Sequence, residues 1–230
     1  MTYLQASNAT HDDVEIHAKI QRRKTMLIEK QEKMQTEATM QLDNLRTAVE
    51  ANMEVAIVGV LSTMIQSIEK NNDKVRAMNK AEVAPVIINI MEEMLAFPSV
   101  CERCLQFIGV LCRNNDEVKS TLSLESSKDF GVYGASAKIA AILQKYSTDP
   151  RIMEAGCDAI RGMCYLESNR KRLGDDGVCE ILGRSLTRWH SNPDVSSWLC
   201  RAIGHLTNGN IIDTNTDTNT YTNTKSCRKR

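Results

Sequence analysis

The sequence predicts an all-α chain built from tandem helical repeats. Three observations carry that expectation. Apolar residues recur at fixed offsets around Pro98, Pro150 and Pro193, the spacings within each set are those of a helix face, and the stretch from Asp13 to about Ala51 holds neither Gly nor Pro and is rich in helix formers. With 42% hydrophobic residues but only 4% aromatic ones, the core should be aliphatic, with Met and Cys as fillers.

In chain order, residues 1–12 show no periodicity and read as a disordered N-terminus. Residues 13–54 read as one long amphipathic helix, in which Ile20, Leu27 and Met34 recur at sevens and Leu42, Leu45 and Val49 continue the stripe. This helix could cap the array or form a coiled-coil arm. The companion positions Lys24 and Gln31 are polar, which makes a poor heptad seam and favours the cap. The cluster Lys19, Arg22, Arg23 and Lys24 is answered by Glu29 and Glu32, the pattern of a solvated helix face rather than a nucleic-acid patch.

The repeat follows. Offsets +2, +10 and +13 from the three prolines give Val100, Ile108, Leu111, then Ile152, Ile160, Met163, then Val195, Ile203, Leu206. Counting back, −7 holds Met91, Leu143 and Leu186, and −11 holds Ile87, Ile139 and Leu182. At −15 stand Val83, Ala135 and Val178, and at −20 Met78, Phe130 and Leu173. Each Pro therefore separates two amphipathic helices. Asp149 and Asn192 are good N-caps, and the Pro after each suits the first helical position. Gly134 and Gly177, both at −16, permit a sharp turn from a short preceding helix. The interval from Pro98 to Pro150 exceeds the next by nine residues, and "STLSLESSKDFGVYG" is expected to carry the excess as a surface loop. Three full repeats result, preceded by a weaker copy in which Ile57, Ile65 and Ile68 fit the third-helix positions without a proline.

The segment "NRKRLGDDGVCEILGRSLTRWHSNPDVSSWLCRAIGHL", Asn169 to Leu206, resembles an armadillo repeat. It has Asn opening a short first helix, a Gly-Val pair opening the second, and small residues before an Ile-Leu pattern in the third. "NNDKVRAMNKAEVAPVIINIMEEMLAFPSVCERCLQFIGVL" looks like a more diverged copy, and "NNDEV" at Asn114 starts another. The resemblance covers about 55–208 and implies a right-handed α-solenoid of about three repeats whose third helices line a peptide-binding groove.

Neither import-signal recognition nor catalysis is implied. Nuclear-import adaptors of the family use a Trp and Asn ladder at positions that here read Gln106, Asp158 and Arg201 at +8, and Val110, Gly162 and His205 at +12. The other groove candidates are Arg113, Arg161, Tyr165 and Asn208, a mixed and mildly basic set suited to an acidic or polar protein segment. Trp198 at +5, and Trp189 and Tyr146 at −4, read as packing residues. Phosphate loops, nucleophile elbows and metalloprotease motifs are missing, so neither an enzyme nor a cofactor is expected. "CERC" could give half of a zinc site, but Cys157 and Cys200 share +7 while Cys112 and Cys164 share +14, which makes them small core residues and metal binding unexpected.

The 29 basic and 29 acidic residues balance, so no overall field recommends nucleic acid or an anionic membrane as partner. The absence of an apolar leader or membrane span makes the cytoplasm, or the nucleus, the expected compartment, with thiols reduced. Residues 209–230, Asn/Thr-rich and then basic, read as a disordered tail. The leading expectation is a non-catalytic scaffold binding an extended partner segment along the groove. The alternative is an arm or spacer of a larger kinase- or GTPase-linked regulatory assembly, its contacts made through the N-terminal helix. A weak homodimer is also expected, through Trp198 or Leu199 exposed at the C-terminal edge.

Overall fold

The computed structural model describes residues 11–69, 71–113 and 121–207, with side chains from 15 onward and, between 121 and 127, at Ser126 alone. Among these residues the regular elements are eleven α-helices. A long α1 (His11–Glu50) and α2 (Glu54–Ile68) precede three triplets: α3 (Asn72–Lys80), α4 (Val83–Glu93) and α5 (Pro98–Arg113); α6 (Thr121–Val132), α7 (Ala135–Lys145) and α8 (Pro150–Met163); α9 (Glu167–Asp175), α10 (Val178–Arg188) and α11 (Pro193–Thr207). Each triplet ends in its longest helix, and the fold is an α-solenoid of three-helix units. The expected disorder of 1–12 and 209–230 concerns mostly residues outside those described, although His11 and Asp12 belong to α1.

Local chemistry sets the boundaries. The Asp149 carboxylate accepts the Arg151 amide at 3.0 Å, the Asn192 side chain accepts the Val195 amide at 3.1 Å, and Asn71 does the same for Lys74 at 3.1 Å at the start of α3. All three middle helices are 11 residues long and begin one residue after a left-handed residue: Glu82, Gly134 and Gly177 at φ 57°, 82° and 76°. Two repeats use glycine at this turn, and the first forces a Glu into it.

The apolar columns are the core. Every residue in the seven proline-anchored columns is buried except Leu186, Ile203 and Leu206, all in the last repeat. Each unit hides its apolar face against the next, and among the described residues no unit follows α11. The same asymmetry corrects two expectations. Cys200 is exposed although its +7 equivalents Leu105 and Cys157 are buried. Leu199 is 0% exposed and Trp198 is partly buried, so neither forms an open apolar edge. The outward positions that hold Met153, Cys157 and Cys164 in the preceding unit hold Ser196, Cys200 and Thr207 here, giving the end a more polar finish.

The expected surface loop is mostly helix among the described residues. α6 has 12 residues where α9 has 9, α5 has 16 where α8 has 14, and the connection 114–120 is four residues longer than 164–166. Phe130 and Ser126 are buried, so "STLSLESSKDFGVYG" is mostly a first helix carrying one additional turn.

Neighbouring units are also tied by a repeated polar contact. The Tyr146 hydroxyl donates to the Leu95 carbonyl at 2.8 Å, and the Trp189 indole N–H donates to the Ser147 carbonyl at 3.1 Å. Both aromatics stand at −4 and both carbonyls at −3 of the preceding unit. Asn169, 0% exposed, fills the gap left by Gly131, whose Cβ would lie 1.8 Å from its Oδ1; it lies within α9 rather than opening it. The first half-unit is built from α1 itself, where Ala38, Leu42, Leu45 and Ala48 are buried and α1 packs on α2 and α3. The C-terminal half of α1 therefore shares the core with the helices that follow it.

Two glycine substitutions should act in opposite directions. A Cβ at Gly162 would stand 2.8 Å from that of Cys112, so the overpacking cost, about 1–3 kcal/mol, outweighs the helix-propensity gain of about 1 kcal/mol. Gly183 has nothing within 4 Å. Urea unfolding should show Gly162→Ala less stable and Gly183→Ala more stable than the parent; the reverse order would refute the close α5–α8 approach.

Candidate functional site

The third helices α2, α5, α8 and α11 pack in succession, so residues on their common outer face form one continuous surface. At its N-terminal edge the charges are internally matched. Gln106 accepts from Arg103 at 2.6 Å and donates to Glu102 at 3.1 Å, and Arg151 lies 3.8 Å from Glu102.

Toward the C-terminal ends of the helices the balance changes. Asp158, expected on the groove wall, is 8% exposed and sits beneath α5, where a Cβ on Gly109 would come within 2.6 Å of its Oδ2. Its carboxylate accepts from Arg113 at 2.8 Å and from Arg161 at 3.4 Å. Burial raises the Asp158 carboxyl above its ordinary range while the two arginines pull it back down. Asp158 thus anchors the arginines and does not present itself to a ligand.

Arg161 continues the chain of contacts. Its guanidinium lies 5.7 Å from the Trp198 ring centre, and so does that of Arg201, distances at which a cation is attracted to the ring face. The buried Arg161 Nε has no hydrogen-bond partner. Tyr165, 48% exposed, meets His205 edge-to-face with ring centres 6.4 Å apart. The structure therefore links Arg113, Asp158, Arg161 and Arg201 through shared partners and adds Trp198, which the sequence reading set aside. A local signal was available: Trp198 and Arg201 are three apart on one helix, a spacing that makes neighbours. Gln106 lies apart in its own network, and Asn208 lies outside the described residues.

No protein-family model matches the chain, and no curated protein matches it. Among solved structures, a designed armadillo repeat protein in complex with peptide (KR)4 aligns over 80% of this chain and 94% of its own, with 12% identity and a TM-score of 0.36. So low a score carries no argument. The repeat rests on the helix triplets.

Other chemistry can be placed as well. Cys101, Cys104, Cys112, Cys157 and Cys164 are buried, and Cys179 and Cys200 are exposed. No group of three or more His, Cys, Asp or Glu side chains able to hold a metal occurs among the described residues. No described helix is long and apolar enough to cross a membrane.

Burial raises the Cys101 thiol to about 11 and those of Cys157 and Cys164 to about 12. Because the thiolate is the reactive form, moving from pH 7 to 9 leaves these three neutral and unreactive. With Cys227 replaced by Ser, an aromatic disulfide reagent at pH 8 should modify the two exposed thiols first, Cys200 ahead of Cys179, whose thiol is also raised by partial burial, and the other five only as the chain unfolds. Rapid modification of all seven would contradict the buried assignment.

Proposed function

We propose that the chain is a non-catalytic protein-interaction scaffold that binds an extended acidic segment of a partner along the face of α5, α8 and α11. The observation that carries this reading is the continuous arginine and aromatic surface. Arg113 and Arg161 share the buried Asp158 carboxylate, and Arg161 and Arg201 share the Trp198 ring. Three guanidiniums against one buried carboxylate leave net positive charge there, and guanidinium forks suit carboxylates in two-point hydrogen bonds. The ring holds Arg161 and Arg201 in place, so less side-chain entropy is lost on binding. Tyr165 and His205 extend the surface with polar-tipped rings. The cytoplasm or nucleus is the compartment that suits this reading, with no cofactor.

The test uses a fluorescently labelled ten-residue Glu-rich peptide and a Lys-rich peptide of equal length. Anisotropy should report binding of the first alone, with affinity falling as salt rises. Arg201→Glu, which touches Trp198 and no buried carboxylate, and Arg161→Gln, which avoids setting a second carboxylate beside Asp158, should each weaken binding about tenfold with unchanged circular dichroism. Equal affinity for both peptides, or none lost in either variant, would refute the reading.

A further inference from the structure

Among the described residues, no other element covers the apolar stripe of the first half of α1. Every residue from Glu15 to Lys33 is exposed, a length of about 28 Å of helix. α1 meets the array through Lys30–Asp73 at 3.0 Å, Lys74–Glu37 at 2.7 Å and the half-buried Met34. Beyond that point the apolar stripe does not stop. Ile16, Ile20, Leu27, Met34, Ala38 and Leu45 fall within about 40° of one another around the helix axis. Ala38 and Leu45 are core, whereas Ile16, Ile20 and Leu27 are 52%, 44% and 57% exposed. The face that the array buries at one end is bare at the other.

The charge around that bare face has one sign. Residues 15–33 hold six basic and three acidic side chains. Glu15 is paired with Lys19 at 2.7 Å, and Glu29 and Glu32 lie about 140–160° round the axis from the stripe. Beside the stripe stand Arg23 and Lys24, for which no ion pair is formed among the described residues. We propose that this segment is the seat of an acidic amphipathic helix from a partner protein, packed along Ile16, Ile20 and Leu27 and pairing its carboxylates with Arg23 and Lys24.

Charge decides against the other occupants. A second copy in parallel sets the Lys19–Lys24 cluster against itself. So does the antiparallel register that opposes Ile16 with Leu27, since its centre falls between residues 21 and 22. The chain's own terminal segments have the wrong sign: 1–10 contain no Asp or Glu, and 208–230 carry two acidic against four basic residues. The segment 114–120, with two acidic residues and one basic, spans only seven residues between α5 and α6, too few to lie along about 28 Å of α1 as a helix. A bilayer calls for an apolar face that is wide along the whole helix, whereas here exposed Met26 and Ile28 widen the stripe at one turn only. An acidic helix satisfies both the apolar spacing and the flanking charge.

The full chain is titrated with a labelled four-heptad peptide carrying Leu on its seam and Glu on its flanks, with a Lys-flanked peptide of the same seam, and with vesicles containing 30% phosphatidylserine. The Glu-flanked peptide alone should bind. Ile20→Ser with Leu27→Ser should weaken it at least tenfold, and Arg23→Glu with Lys24→Glu should transfer binding to the Lys-flanked peptide. Because these positions are exposed, melting of the array should not change. Arg201→Glu should leave this binding intact, which separates it from the α5–α8–α11 face. Indifference to flanking charge or to the Ile20/Leu27 change would overturn the proposal. So would vesicle binding lost in that variant, or a chain that dimerises alone through the stripe, each of which would assign the seat to another occupant.

Discussion

The structure depends on how closely α5 approaches α8. Gly162 lets the backbone come down on Cys112, and Gly109 lets the Asp158 carboxylate tuck beneath α5. That carboxylate, out of water, is held by Arg113 and Arg161, and Arg161 in turn braces Trp198. Removing one partner of a buried ion pair leaves the other charge uncompensated and costs far more than the pair contributes. Packing, electrostatics and the exposed arginine surface are thus consequences of one helix–helix contact.

Repetition supplies the rest. The same polar link, aromatic at −4 to carbonyl at −3, joins both pairs of successive triplets. Left-handed residues at −16 open every middle helix at the same place. Contacts of this kind fix the rotation from one unit to the next, which a purely apolar seam would fix less sharply. The half-unit formed by α1 and α2 closes the N-terminal end of the core, and the more polar outward positions of α11 finish the other.

Much of this was legible in the sequence because helix boundaries here have local causes. Asp149, Asn192, the prolines and the two glycines each act within a few residues of their own position, and the column periodicity gave the burial of Ile87, Ile139 and Leu182 directly. What was hidden depends on pairs distant in sequence. Asp158 reads as a groove residue until Gly109, 49 positions earlier, is seen to admit it. Trp198 is packed against the core as its position reads, but its second contact, with Arg161 from the neighbouring helix, is not visible in the sequence. "STLSLESSKDFGVYG" looks like loop because its Ser and Gly residues are weak helix formers, and burial of Phe130 against its neighbours overrides that preference. The stripe of α1 was legible as a pattern; its exposure from Ile16 to Leu27 was not.

Hydrogen–deuterium exchange of the full chain, with and without a saturating Glu-rich peptide, tests the central claim most directly. Binding across the linked arginines predicts slower exchange in 150–163 and 193–207, with 72–93 and 15–33 unaffected. Protection confined to the N-terminal helix, or found nowhere in α8 and α11, would contradict it.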